Sequence, residues 1–262
     1  MSHHELYGRT DSELLWFQRR SFLKAAAAWT AAGGAAGAVA QSRGNVVELT
    51  GEVQVNGSRR WPERTVLTGG RGEAGRGANL VLVVGSASFL VRQNSRLVVE
   101  RGSSLNVASV LRLVTGAVAS VWGKGGARQI ITPTMTAGIR GTGVYTEVFP
   151  QQNDRSYFCN CYGSVDLNAG GEQLRSESEY HQSFWAEAHP KEGRRLIPAE
   201  AINHTDEEME MLAALVQQRT AWQITGRKGS RDGSGKQSPY GGYRTPQTRT
   251  PPAPQPAPKP HY

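Results

Sequence analysis

Cysteine is the scarcest residue with chemistry to offer, with two in 262 positions. Cys159 and Cys161 stand one residue apart, which excludes a disulfide-stapled scaffold and leaves the pair to be explained on its own terms. Long apolar runs are also missing. The longest uncharged stretch near the N-terminus, Ala25 to Ala40, is mostly alanine and glycine. Such residues gain little on leaving water, and a span needs about 20 predominantly apolar residues, so no stable membrane span is expected. There is no nucleophile elbow, no phosphate loop, no His-Glu-x-x-His and no carboxylate pair marking a cleft. The glycine pairs Gly69-Gly70 and Gly125-Gly126 lack the following helix that a phosphate site needs. The sequence therefore predicts no catalysis. With 30 Lys+Arg against 22 Asp+Glu the net charge is +8, but much of the excess lies in the C-terminal tail. The body carries no dense basic stripe, and nucleic acid is not an expected partner.

What is present begins with an address. Arg19 and Arg20, then Phe22, Leu23 and Lys24, precede the weakly apolar run that closes on Ala38-Val39-Ala40. Paired arginines, an aromatic, a leucine and an Ala-x-Ala end resemble a twin-arginine export signal. This predicts a leader over 1–40, cleavage after Ala40 and a periplasmic protein.

From Asn45 to about Trp185 the chain divides into short β-favouring runs separated by Gly, Asn and Ser. Ala78 to Val84 is continuous enough to be buried on both faces, whereas Val53 and Val55, or Leu97 and Val99, alternate with polar residues. Val110 to Val114 and Ala117 to Val121 flank Thr115-Gly116. Ser164 to Leu167 follows Tyr157 to Gly163, and Gly69 to Gly77 reads as an exposed connection. Even spacing without long helical periods predicts an all-β sandwich, barrel or roll over 41–190.

One amphipathic helix is expected in an extension over 191–225. Thr205 is a good N-cap, Glu208 completes a capping box, and Asp206 and Glu207 suit the dipole of the first turn. Met209, Leu212, Leu215 and Val216 form an apolar stripe that predicts packing on the β-body. From 226 to 262 the chain is Gly/Ser-rich and basic, then Pro-rich. Such composition cannot bury enough apolar area to offset chain entropy, which predicts a disordered tail. Its charge suits an anionic envelope polymer.

Several of these pieces occur in a familiar order: Gly51-Glu52-Val53-Gln54-Val55-Asn56-Gly57, the run Val81 to Leu97, Leu113 to Gly116, Thr132-Pro133, and above all Arg140-Gly141-Thr142. In this the chain resembles the FecR domain, over about residues 45 to 170. The resemblance implies an all-β envelope domain that works by binding, sensing or scaffolding, with an envelope protein or polymer as partner and no catalytic residues. The anti-sigma segment and transmembrane helix of the ferric-citrate regulator have no counterpart in the first forty residues. On the residues alone, Arg140, Gly141 and Thr142 form a strand-to-strand turn or a ligand contact. Glycines 138, 141 and 143 allow unusual backbone angles, and Arg140 is expected to bury its stem and pair its head.

Cys159 and Cys161 fall in a strand, where i and i+2 share a face, so both sulfurs can reach one ion. His181, His189 and His204 follow, and the metal set expected is Cys159, Cys161, His181 and His204, which by ligand softness suits zinc or copper. A strained disulfide, reactive thiols and plain packing of two small hydrophobes are the other readings of the pair.

Overall fold

The computed structural model describes residues 5–14, 45–59, 71–102 and 107–236. The export motif Arg19, Arg20, Phe22, Leu23, Lys24, the cleavage residues Ala38 and Ala40, and the tail from 237 lie outside the described residues. Among the described residues no helix is long and apolar enough to cross a membrane.

The body is mostly β. After the single turn α1 (Asp11–Leu14) come β1 (Val46–Thr50), β2 (Val53–Val55), β3 (Ser58–Arg59), β4 (Arg71–Ala74), β5 (Asn79–Val84) and β6 (Ala87–Val91). Next are β7 (Ser95–Arg101), β8 (Ala108–Trp122), β9 (Arg128–Ile131), β10 (Thr136–Ile139) and β11 (Gly143–Phe149). The chain continues with β12 (Arg155–Ala169), β13 (Glu172–Ser178), β14 (Tyr180–Lys191) and β15 (Arg194–Ala199). It closes with α2 (Asp206–Leu215), α3 (Ala221–Thr225) and β16 (Ser234–Gly235).

Two of these strands decide the architecture. β8 and β12 each run for 15 residues and pass from one sheet into another. Their first and second halves pair with different neighbours: Ala108 to Thr115 with β7 and β9, Gly116 to Trp122 with β6 and β11. Likewise β12 pairs with β11 and β14 up to Tyr162, then with β10 and β13 from Gly163. The bends fall on glycines in the left-handed region, Gly116 at φ 77° and Gly163 at φ 99°. At Gly163 a Cβ would also stand 2.7 Å from Thr142 Cβ, so only glycine fits. What the sequence divides into two short strands on each side of these glycines is therefore one bent strand. Among the described residues the strand-to-strand pairings are antiparallel except β8 with β9. The result is a two-sheet roll, barrel-like around its core.

Between the sheets lies an aliphatic and aromatic core that includes Phe89, Leu111, Trp122, Ile130, Phe158 and Val165. Each such side chain contributes about 1.5–3 kcal/mol by leaving water. The opposite face of the β5-β6-β8-β11-β12 sheet carries a second cluster, with Leu90, Tyr145, Tyr157, Cys159 and Cys161 packed against Met209, Leu212 and Trp222. Because both faces are covered, β5, β6 and β11 are buried almost throughout; β5 is apolar without a break from Leu80 to Val84, whereas β11 also buries Thr146 and Glu147.

The capping box at Thr205 and Glu208 starts α2 where the sequence predicts it, and Met209, Leu212 and Leu215 face the second cluster. Other expectations are corrected. The glycine-rich segment 69–77 contains β4, which pairs with β2 and β7. The 191–225 extension begins as a strand, β15, on the edge of β14. Residues 226–236 are not tail: β16 also adds to β14, and Arg231 is almost fully buried. A composition average over 226–262 concealed one buried arginine with a specific carboxylate to meet.

Candidate metal centre

Four side chains from three elements converge in the second cluster. Cys159 and Cys161 belong to β12, His181 to the start of β14, and His204 to the loop before α2, and all four are fully buried. Each position has a local cause. Cys159 pairs with Tyr145 on one side and Ser183 on the other. The β11–β12 register then slips between Val144 opposite Asn160 and Gly143 opposite Tyr162, so Cys161 is the extra residue of a bulge. His181 sits in a second register shift, between Tyr180 and Gln182, with its backbone left-handed at φ 52°. Bulges re-aim side chains, and such backbone strain clusters at functional sites. His204 immediately precedes the Thr205 N-cap, and its place follows from the capping box.

The sulfurs stand 3.7 Å apart, too far for a bond and close enough to share a ligand. Cys159 Sγ is 3.5 Å from His181 Nδ1, Cys161 Sγ is 3.4 Å from His204 Nε2, and the two nitrogens are 3.1 Å apart. All four donor atoms lie within 4.8 Å of one another. A tetrahedral zinc ion with bonds of about 2.3 Å to sulfur and about 2.0 Å to nitrogen sets S–S, S–N and N–N edges of roughly 3.8, 3.5 and 3.3 Å. The four edges formed by these contacts fit that figure.

The proton inventory points the same way. His204 Nδ1 lies 2.6 Å from the Ile202 carbonyl, an acceptor, so its proton is there and Nε2 turns a lone pair inward. His181 Nε2 lies 2.9 Å from Asp206 Oδ1, which also accepts from Arg231 at 2.7 Å. A carboxylate cannot donate, so His181 Nε2 carries a proton toward Asp206, with Arg231 Nη1 also 3.1 Å from that nitrogen; in a neutral ring Nδ1 then turns its lone pair inward. With both rings neutral, two nitrogen lone pairs would face each other at 3.1 Å beside two sulfurs and a cation between them would relieve the repulsion, whereas a charged His181 would donate from Nδ1 to His204 Nε2. Oriented second partners of this kind, carboxylate to histidine to metal, fix tautomer and ring angle at metal sites.

Charge is distributed accordingly. Burial opposes a Cys159 thiolate, yet the hydrogen bond from Cys161 and the fields of His204 and His181 hold its pKa well below the ordinary thiol value. Burial, then the hydrogen bond and charge of Cys159, push Cys161 well above it. One thiolate is thus favoured in the bare pocket, and a divalent cation would permit the second. Burial lowers His204 to about 4, keeping the imidazole neutral as a ligand must be. Asp206 suffers the same burial, but the His181 hydrogen bond and charge, with Arg231 and Lys228, hold it far below the usual carboxylate range.

Of the residues the sequence proposed for the metal, Cys159, Cys161, His181 and His204 come together, and His189 does not, being exposed on β14. Sequence reading missed the supporting shell. Asp206 and Tyr180 bond each other at 2.8 Å, Arg231 also donates to the His204 carbonyl, and Trp222 stacks on His181 with centroids 5.3 Å apart. Asp206 was visible only as a first-turn acid, and nothing local marks Arg231.

The Arg140-Gly141-Thr142 turn lies elsewhere, joining β10 to β11. Of glycines 138, 141 and 143 only Gly141 has a positive φ, at 69°. Gly143 is needed for room instead, since a Cβ would stand 2.3 Å from the Tyr162 ring. The Arg140 stem is not buried: the side chain is 65% exposed and its guanidinium meets Asp166 at 3.0 Å. Thr142 is the buried member, with Oγ1 at 3.2 Å from Gly143 O and 3.3 Å from Asn160 Oδ1. The turn borders an open cavity of about 520 Å³ whose lining includes Lys124, Arg128 and Asp166.

No protein-family model matches the chain, and no curated protein matches it. Among solved structures it is similar to two crystal structures of a candidate anti-sigma factor from Parabacteroides distasonis, at 6% and 8% identity with TM-scores of 0.39 and 0.40. The aligned part is 54% and 56% of this chain and spans 63% and 65% of those chains.

Proposed function

We propose that the protein is a non-catalytic, exported β-domain whose built site is a structural zinc centre formed by Cys159, Cys161, His181 and His204. The observation that carries this reading is the donor set itself: two sulfurs and two ring nitrogens at tetrahedral spacing, buried, with both imidazoles oriented from behind. Zinc is favoured over copper because four protein ligands close the site with mixed sulfur and nitrogen donors, and catalytic zinc sites keep one position open. Bound there, the ion supplies no reaction. It would tie β12, β14 and the loop before α2 together, and the chain's own residues do the rest: Asp206 and the Ile202 carbonyl hold the rings, and Trp222 stacks on His181.

The wider role as a FecR-like binding or scaffolding module rests on motif order, from Gly51-Glu52 through Arg140-Gly141-Thr142. Export to the periplasm rests on Arg19, Arg20 and the residues after them. An envelope protein or anionic polymer remains the expected partner, with the basic residues beyond 236 as the segment that would meet it.

The test is metal content with a free-thiol count on the protein purified without chelator. About one equivalent of zinc is expected, absent from Cys161→Ser and from His181→Ala, with the thiols unreactive until the metal is removed. One equivalent of copper would keep the centre but change its role to redox. No metal, with two free thiols or one disulfide, would end the metal reading.

A further inference from the structure

The loop that carries His204 is held from two sides. On one side is the donor set. On the other, residues 5–14 lie along the surface and use almost every polar group of Asn203. The Asn203 amide donates to Glu5 O at 2.9 Å, and Glu5 forms a parallel bridge with Ile202. The Asn203 side chain brackets Tyr7, accepting from its N–H at 2.7 Å and donating to its carbonyl at 2.7 Å. The backbone at Asn203 is left-handed, φ 58°, so the loop is drawn tight between its neighbours.

The remaining contacts of the segment are those of a seated ligand, not of a loose end. Tyr7 packs edge-on against Phe149 and Trp185. Arg9 pairs with Glu147 at 2.8 Å and Glu13 at 2.9 Å, and its side chain is only 9% exposed. Leu14 is fully buried. Beneath them Arg92, itself fully buried, donates to Glu13 O at 3.0 Å, to Asn203 O at 3.1 Å and to Glu208 at 2.8 Å. Glu147 accepts from the Tyr145 hydroxyl, and the Tyr145 ring stacks on His204 with centroids 4.7 Å apart.

We propose that this surface is a docking groove for the chain's own residues 5–14, and that closure of this latch and metal loading of the cysteine–histidine set stabilise each other through the loop 202–204. The proposal rests on the metal reading. Loss of the ion frees His204, and with it the Asn203 conformation that Glu5 and Tyr7 require. Linkage is reciprocal, so an undocked segment must weaken the metal by the same factor by which metal loss weakens docking. The expected cleavage after Ala40 would remove the segment with the leader, so the latch belongs to the uncleaved chain, in which Arg19 and Arg20 begin five residues beyond Leu14.

The test is hydrogen–deuterium exchange on the full-length chain, zinc-loaded and chelator-stripped, with zinc content measured on the same samples. Residues 5–14 are expected to exchange about tenfold or more slower with zinc bound, while β5 and β6 stay protected in both states. A second arm uses the double substitution Tyr7→Ala, Arg9→Ala, which leaves every ligand in place. Its zinc affinity, measured by competition with a chelator, is expected to fall about tenfold. Zinc bound at one equivalent with equal exchange of 5–14 in both forms, or unchanged affinity in the double variant, overturns the latch and leaves the metal centre standing. No zinc uptake overturns both, and the zinc measurement separates that case. If stripping unfolds β5 and β6 as well, the affinity arm decides.

Discussion

The two faces of one sheet hold the molecule together by different means. The face that meets the second sheet buries Phe89, Val118, Trp122 and Phe158 in an apolar core. The face beneath the N-terminal and C-terminal segments buries Tyr145, Tyr157, both cysteines, two histidines and several charges. The first is non-directional and tolerates any filling of the right volume. The second works only if each donor meets its acceptor, because an unpaired buried charge costs far more than a missing methyl group. Buried charges are thus concentrated on the face that carries the cysteine–histidine set, while the core behind it holds few polar groups, such as the Ser120 hydroxyl that accepts from Trp122 Nε1.

Two substitutions of similar cost should break this comparison open. Phe89→Ala removes an aromatic packed edge-on to Trp122 and is expected to cost about 3–5 kcal/mol by urea unfolding, with zinc affinity of the folded protein unchanged. Arg92→Ala removes one partner of a fully buried ion pair with Glu208, at a similar cost of about 3–5 kcal/mol. It should also weaken zinc, because Arg92 holds the Asn203 carbonyl. Equal zinc affinity in both variants would show that the second face is not a linked network.

Truncation sharpens the boundary of that network. A chain ending after Lys236 should bind zinc as the full chain does, whereas one ending after Thr225 loses Lys228 and Arg231 and should bind about 10- to 100-fold more weakly by chelator competition. Equal affinities would put residues 226–236 outside the site's support. A smaller effect belongs to the hinge between faces. Gly163→Ala forces a side chain into a left-handed position against Thr142 and should cost about 1–3 kcal/mol, read as a lowered midpoint without loss of zinc. The smallest is Arg140→Ala, which removes an exposed pair with Asp166 and should change stability by less than about 1 kcal/mol. A larger loss would mean that the Arg-Gly-Thr turn does more than join β10 to β11.

Legibility followed the same division. Strand after strand of the first core was readable because burial of one face imposes period-2 alternation, and burial of both imposes an unbroken apolar run, as in Val81 to Val84. The helix at Asp206–Leu215 was readable because its capping box is a local device. The cysteines could be placed on one face from their spacing, and His181 and His204 could be named as partners. Their approach could not be read, since it depends on a bulge at Cys161, a left-handed histidine and a 43-residue separation that no local pattern encodes.

The sequence by itself determined that the body is mostly β, that a helix starts at Thr205 and which side chains could act as donors, because periodicity, capping and donor chemistry are properties of neighbouring residues. Only the tertiary structure decided that Gly116 and Gly163 bend long strands rather than end short ones, that Arg231 belongs to the body, and that residues 5–14 close over the loop beside His204. Each of those outcomes depends on which distant partner a residue meets, and that is settled by packing the whole chain at once.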